Sequence, residues 1–330
     1  MGIREIAKQA NVSISTVSYA LNGSDKITEE TRARILAIAK KLHYTPSLAA
    51  RTLKKQATNI IGMYVHEFGG DFYTHVIDGV AQTLKKHHYE LIVCSGGQRS
   101  RSFIDQRLVD GAIILDPTFS DDILAESAKV AQGMVVMDRE THIPNVSQVL
   151  LDNEGGARLA VDALIESGVD HYVFVTGPSD SHDSRVRLDA ALGELAAKTH
   201  QAATVIPGDF TISGGHAVAS MIADLHQTNI GIFALNDELA IGLTERLPEF
   251  GLNVGQNIKL IGLDNDMIGE YLRPALTTID YSKYHWGEVA AEALLKQLAK
   301  PGTITDEMIR TKIIHRHSLG EEAPHGDRNA

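Results

Sequence analysis

The chain has 330 residues, 43% of them hydrophobic and 22% charged, and a net charge of −11 at neutral pH; that length is enough for two or three domains with buried cores. No run of about 18 apolar residues occurs, which argues against a membrane-spanning helix. The charged start MGIREIAKQA argues against a secretory leader, and a single cysteine, Cys94, rules out an internal disulfide and suits a reducing cytoplasm.

The charge is unevenly spread. Residues 1–58 hold ten lysines and arginines against four carboxylates, a net of +6, which leaves −17 for the remainder. A basic head on an acidic body points to a polyanionic partner for the head alone, a solvated charged face being the alternative. Within the head, Ile3, Ile6, Ala7 and Ala10 share one face and predict a helix over 3–10. Asn11 tolerates the left-handed conformation and breaks it. Ser13 is placed to cap a second helix over 14–21. After the turn cluster NGSDKI, Thr28 starts a third helix, with Ile35, Ile38, Ala39 and Leu42 at helical spacing. A short helix over 47–53 follows, then the polar connector KKQATN.

From Ile60 the rhythm changes to short apolar runs alternating with helix-length segments: IIGMYV, LIVC, GAIIL, GMVVM, YVFVTG, GIFAL and IKLIGLD. This pattern predicts α/β architecture with parallel, doubly wound sheets. The strands are too many for one small domain and divide near Leu151–Asp152 into two similar lobes. Ligands of such sheets bind beyond the carboxyl ends of the strands, so facing lobes enclose a cleft. The polar tail 321–330 is predicted to be disordered.

Two short helices with Ala7, Val12 and Val17 at their contact describe a helix-turn-helix, an all-α head whose second helix enters the DNA major groove. Ser13, Ser15, Thr16, Ser18, Tyr19 and Asn22 are then polar because they face base edges and phosphates.

The stretches IREIAKQANVSISTVSYALNG and ITEETRARILAIAKKLHYTPSLAARTL resemble the head of the LacI/GalR family of bacterial transcription regulators, and the similarity runs on to IIHRHS. Two departures stand out: Asn11 where the family usually has Gly, and Tyr19 where many members carry a guanine-reading Arg. The resemblance implies a cytoplasmic homodimer, a tetramer remaining open, that binds double-stranded operator DNA and a small effector, without a cofactor or a metal. It assigns 1–45 to the DNA-binding domain and 46–58 to a hinge helix and linker. The hinge contacts would come from Ala50, Arg51, Leu53 and Lys54, with Leu53 wedged into the minor groove; a plain linker is the alternative reading.

The resemblance makes 59–320 a periplasmic-binding-protein-like body for effector binding and dimerisation. Its N-lobe would comprise 59–151 and 282–303, and its C-lobe 152–281 and 304–320. Carried over position by position, the cleft residues are Phe72, Tyr73, Asp138, Arg187, Asp209, Phe210, Asn236 and Asp264. Carboxylate, amide and guanidinium groups pair with vicinal hydroxyls, and an aromatic ring stacks on the apolar face of a sugar. Structural readings stand beside these: Asn236 and Asp264 as helix caps, Phe210 as core. The expected function is a repressor of a carbohydrate-utilisation operon with a mono- or disaccharide effector; a nucleobase or phosphosugar effector is the alternative. Between Cys94 and Val109 the chain is several residues shorter than the family pattern, so the cleft wall near Gly96–Gly97 is expected to differ. A phosphorylated carrier protein is not expected as a partner, since the helix that would receive it offers Glu288 and Glu292.

Enzymatic readings find little support. The run Ser181–His182–Asp183 has the composition of a catalytic triad, but triads converge from separated positions. The pairs His87/His88 and His315/His317 lack neighbouring metal ligands, and the Gly-Gly pairs match no phosphate-binding fingerprint. A solute-binding protein for transport, the rival of another class, would have an export signal and no basic head.

Overall fold

The computed structural model describes residues 2–44, 57–66 and 68–320. It divides into two compact units, Met1–Thr58 and Asn59–Ala330. The hinge residues Ala50, Arg51, Leu53 and Lys54 and the tail 321–330 lie outside the described residues.

The first unit contains α1 (Ile3–Ala10), α2 (Ile14–Leu21) and α3 (Glu29–Lys41) around a small core of Ile6, Ala7, Ala10, Val17, Ala20, Ile35 and Ala39. Asn11 adopts φ +53° and ends α1, and its role falls to a residue that takes this conformation more readily than most side chains. Ser13 Oγ accepts from Thr16 N at 3.1 Å, and Thr28 Oγ1 accepts from Thr31 N at 3.4 Å, so both following helices carry side-chain N-caps.

The second unit contains two six-stranded sheets. The first is built from β1 (Ile60–Val65), β2 (Glu90–Cys94), β3 (Gly111–Leu115), β4 (Met134–Val136), β5 (Val146–Leu151) and β11 (Asp306–Ile309), in the order β11-β5-β4-β3-β1-β2 and parallel throughout. The second is built from β6 (His171–Val175), β7 (Ala203–Ile206), β8 (Ile230–Ala234), β9 (Ile258–Leu263), β10 (Thr277–Asp280) and β12 (Lys312–Ile314). Its order is β12-β10-β9-β8-β6-β7, with only β12 antiparallel. The connecting helices are α4 (Gly70–Lys86), α5 (Gln98–Asp105), α6 (Asp121–Ala128), α7 (Asn153–Glu166), α8 (His182–Thr199), α9 (Ile212–Ala223), α10 (Asp237–Arg246), α11 (Met267–Tyr271) and α12 (Lys283–Ala299). β3 and β8 are buried along their whole length, which is why they read as unbroken apolar runs. The shortened segment after Cys94 is the eight-residue α5, entered through Gly96 and Gly97 at φ +71° and +92°.

The chain crosses between the sheets three times: from β5 to α7, from β10 to α12, and from β11 to β12. The third crossing corrects one expectation. Residues 304–320 do not all belong to the second lobe, because β11 pairs with β5 of the first sheet. The backbone of β5 needs partners on its outer side, and Gln148 N donates to Thr305 O at 2.9 Å while Asp152 N donates to Ile309 O at 3.0 Å.

Helix α12 packs against α4 at two glycines. A Cβ on Gly287 would stand 2.1 Å from the Val76 carbonyl oxygen, and one on Gly79 would stand 2.0 Å from that of Tyr284. Trp286, 1% exposed, anchors the same helix to the first sheet by donating Nε1–H to Val149 O at 2.8 Å. Gly287→Ala is therefore expected to force the helices apart and cost about 1–3 kcal/mol, read as a melting temperature lower by several degrees. An unchanged melting temperature would contradict this packing.

Candidate nucleic-acid interface and ligand cleft

Helix α2 concentrates hydroxyl groups at its N-terminus. Ser13 Oγ lies 2.7 Å from Ser15 Oγ and 2.8 Å from Thr16 Oγ1, and Ser13 and Ser15 are exposed. At the other end Asn22 Nδ2 donates to Ser18 O at 2.7 Å and to Ser18 Oγ at 3.3 Å. Tyr19 is half-buried, between these groups in sequence. Arg4, Lys8, Lys26, Arg34, Lys40 and Lys41 are exposed on the same unit. Hydroxyls and amides on a short helix, amid exposed cations, can meet base edges and phosphate oxygens together.

In the second unit the centre of the candidate site is Arg187, on α8 and 5% exposed. Its Nε donates to Asn153 Oδ1 at 2.7 Å and its Nη1 to Leu235 O at 2.7 Å, while Asp183 Oδ2 stands 3.9 Å from Nη2. Asn153 Nδ2 donates to Asp183 Oδ1 at 2.9 Å, closing the cluster. The guanidinium carbon lies 5.8 Å from the Phe210 ring centroid.

Asp264 follows β9 at φ +129°, and Asn265 at φ +53°. Tyr281 donates its hydroxyl to Asp264 Oδ1 at 2.8 Å, and the Lys283 ammonium donates to the Asp264 carbonyl and lies 3.2 Å from Asp266 Oδ1. Burial raises the Asp264 carboxyl above its ordinary range, against the opposing pull of Arg187 and Lys283. Beneath it, Asp237 is fully buried, accepting from Thr278 Oγ1 at 2.6 Å and Asp266 N at 2.8 Å. Burial, then the charges of Asp264 and Asp266, push Asp237 up to about 8, so it holds a proton at neutral pH.

From the first sheet, Asp138 follows β4 and pairs with Arg139 at 3.0 and 3.1 Å. Burial pushes its carboxyl up to about 6; Arg139 opposes the rise and the charge of Asp183, from the second lobe, adds to it. Phe72 and Tyr73 lie in the first turn of α4, with ring centroids 4.8 Å apart. Phe72 meets Trp286 at 6.0 Å and Trp286 meets Tyr281 at 6.0 Å, so an aromatic file leads from Phe72 to the hydroxyl held by Asp264.

Around the Arg187 cluster, Phe210 is in contact, Asp264 and Asp138 interact through charge, and Phe72 connects only by way of Trp286 and Tyr281. Asn236 reaches the cluster indirectly: it caps α10 through Leu239 N at 3.0 Å and donates to Phe210 O at 3.0 Å. Phe210 stands at φ +65°, its ring over Gly177, where a Cβ would come within 2.3 Å. Asp209 is exposed and turns to the start of α9, accepting from Thr211 N and Oγ1 at 3.0 and 2.8 Å. Asn153, Arg139, Tyr281 and Lys283 carried no signal in the sequence; Asp183 was met there only within the Ser-His-Asp run, although it lies four residues before Arg187 on one helix. Ser181 caps α8 at Ser184 N, a structural use of that hydroxyl. Among the described residues no group of three or more His, Cys, Asp and Glu side chains is disposed to hold a metal ion, and no helix is long and apolar enough to cross a membrane.

Comparison with known proteins places these two sites in context. Residues 2–47 match the model of bacterial regulatory proteins of the lacI family, and residues 161–319 match a periplasmic binding protein-like domain. The ribose operon repressor of Haemophilus influenzae is 30% identical over 325 residues, covering 94% of this chain and 95% of its own. The HTH-type transcriptional repressor PurR of Edwardsiella ictaluri is 30% identical over 331 residues, 97% of each chain. A crystal structure of a sugar-binding LacI-family regulator from Enterococcus faecalis is 38% identical with a TM-score of 0.74, covering 81% of this chain and all of that one. The chain belongs to the lacI family of bacterial regulatory proteins. It is a DNA-binding transcription regulator with a helix-turn-helix head and a periplasmic-binding-protein-like body.

The Asp138 carboxyl gives a test of the cleft electrostatics. Its folded-state value of about 6 lies above the ordinary 3.8, so its contribution to stability is full below 3.8 and is lost as pH rises through 6. Asp138→Asn is expected to gain stability relative to wild type above pH 7, by roughly 2–3 kcal/mol at most, and to lose that gain near pH 4. Denaturant unfolding at several pH values reads the difference; a pH-independent offset would contradict the assignment.

Proposed function

We propose that this regulator is a cytoplasmic repressor that binds a pseudo-palindromic operator as a homodimer, and that a small neutral sugar in the interlobe cleft changes its operator affinity. It performs no chemistry on that ligand. The observation that carries the reading is the Arg187 cluster, where a buried guanidinium, the Asn153 amide and the Asp183 carboxylate meet beside the Phe210 ring, while Asp138 of the first lobe feels the charge of Asp183. Such a set pairs donors and acceptors with the hydroxyls of a pyranose or furanose, and the ring covers an apolar sugar face. Relatives named for ribose and sugar binding support the same class. Asp183 acts through charge on both Asp138 and Asp264, and negative charge gathered there disfavours a phosphorylated sugar.

In this reading Ser13, Ser15, Thr16, Ser18, Tyr19 and Asn22 contact the operator. Ala50, Arg51, Leu53 and Lys54 supply the hinge contacts on the strength of the family resemblance alone. Phosphate contacts make operator affinity fall steeply with salt.

Thermal-shift screening of the full chain against pentoses, hexoses, disaccharides and nucleobases identifies the ligand, since a compound that binds only the folded state raises the melting temperature. Arg187→Ala and Asp264→Ala are expected to leave ligand-free operator affinity near normal and to weaken the ligand response by about tenfold or more, each leaving a buried partner unpaired. Wild-type ligand responses in both variants would place the effector elsewhere.

A further inference from the structure

The turn that follows α2 is fixed at each step. Ser24 N donates to Tyr19 O at 3.0 Å, and Arg32 Nη2 donates to Ser24 O at 2.8 Å. Arg32 is itself held by Glu29 at 2.9 Å, with Asp25 on its other side at 3.9 Å. Lys26 N lies 3.4 Å from Ser24 Oγ. The outcome is that the Lys26 ammonium stands over the Tyr19 ring, 5.4 Å from its centroid, while the lysine remains exposed to solvent.

An ammonium within about 6 Å of a ring face is attracted by the ring's quadrupole. Tyr19 needs such a restraint if it is to discriminate bases, because a ring free to change rotamer presents no fixed edge to the groove. We propose that Lys26 is a positioning residue for Tyr19: its ammonium holds the phenol ring in one orientation, and the two side chains together set the base preference at one position in each operator half-site. The proposal rests on the reading of α2 as the base-contacting helix. A lysine that touched only a phosphate would instead raise affinity for every sequence alike.

Selection from a random-sequence duplex library, with the full-length protein, separates these roles. Tyr19→Ala identifies the position that Tyr19 reads. Lys26→Ala is expected to flatten the preference at that same position by roughly two- to fivefold, the size of an exposed cation–π contact, leaving the other positions of the motif intact. Lys26→Arg should restore it, since a guanidinium can occupy the same place over the ring. Circular dichroism confirms that the exposed substitution leaves the head folded. The proposal is overturned if Lys26→Ala keeps the motif unchanged and only lowers affinity uniformly, with a salt slope smaller by about one. A motif unaltered by Tyr19→Ala removes Tyr19 from the reading surface and the proposal with it. The absence of any enriched motif from the wild type removes the base-reading role of α2 itself.

Discussion

A guanidinium that is almost wholly withdrawn from water must be surrounded by acceptors, and the second unit is arranged around that requirement at Arg187. Asn153 and Leu235 supply direct hydrogen bonds, and Asp183 and Asp264 supply charge. Each acceptor arrives from a different part of the chain. Asn153 opens the helix after the first crossing between sheets, Leu235 directly follows a central strand, and Asp183 lies one turn before Arg187 on the helix that carries it. Asp264 is fastened to Tyr281 and Lys283 at the second crossing, and its neighbour Asn265 accepts from Arg316, beyond the third, at 2.7 Å. The loop that presents Asp264 is therefore tied to the segments that join the lobes.

The same loop shows how charge is moderated where acids crowd together. Asp237, Asp264 and Asp266 lie close together, and three ionised carboxylates there would repel one another strongly. Asp237 keeps its proton and serves as a hydrogen-bond partner to Thr278 and to the Asp266 amide. Lys283 neutralises part of the remaining charge from the far side. The consecutive left-handed residues Asp264 and Asn265 are conformations that side chains adopt at some cost, and the surrounding hydrogen bonds hold them there.

The head was legible in the sequence because its signals are local. Helical periodicity, two hydroxyl caps and an asparagine at a left-handed position are each decided by neighbouring residues. The body was legible where strands form apolar runs, most of them buried on both faces; β2 lies at a sheet edge and is partly exposed, but LIVC still reads as such a run. β5, β7, β10, β11 and β12 carry polar or charged residues, because they lie near sheet edges or satisfy buried hydroxyls as Thr277 and Thr278 do, and none reads as an apolar run. The assignment of β11 could not be read from DEMI itself, since it depends on the open edge of β5. In the candidate site, Arg187 and Asp264 came from family resemblance, whereas Asn153, Tyr281 and Lys283 matter through contacts across long sequence separations that no local pattern encodes. Asn236 fulfils its helix-cap reading and also donates to the Phe210 carbonyl, a bond that no sequence pattern announced.

Three separate chain passages join the two lobes, and this number has a mechanical consequence. A single tether leaves one rigid body free to swing, twist and slide against another. Three tethers emerging side by side resist sliding and torsion, because either would stretch one passage while slackening another. The compliant motion left is a bend about the line that runs through them, with little freedom in any other direction. Any force applied across the lobes is then channelled into one angular coordinate, as in a pair of jaws, rather than dispersed among many.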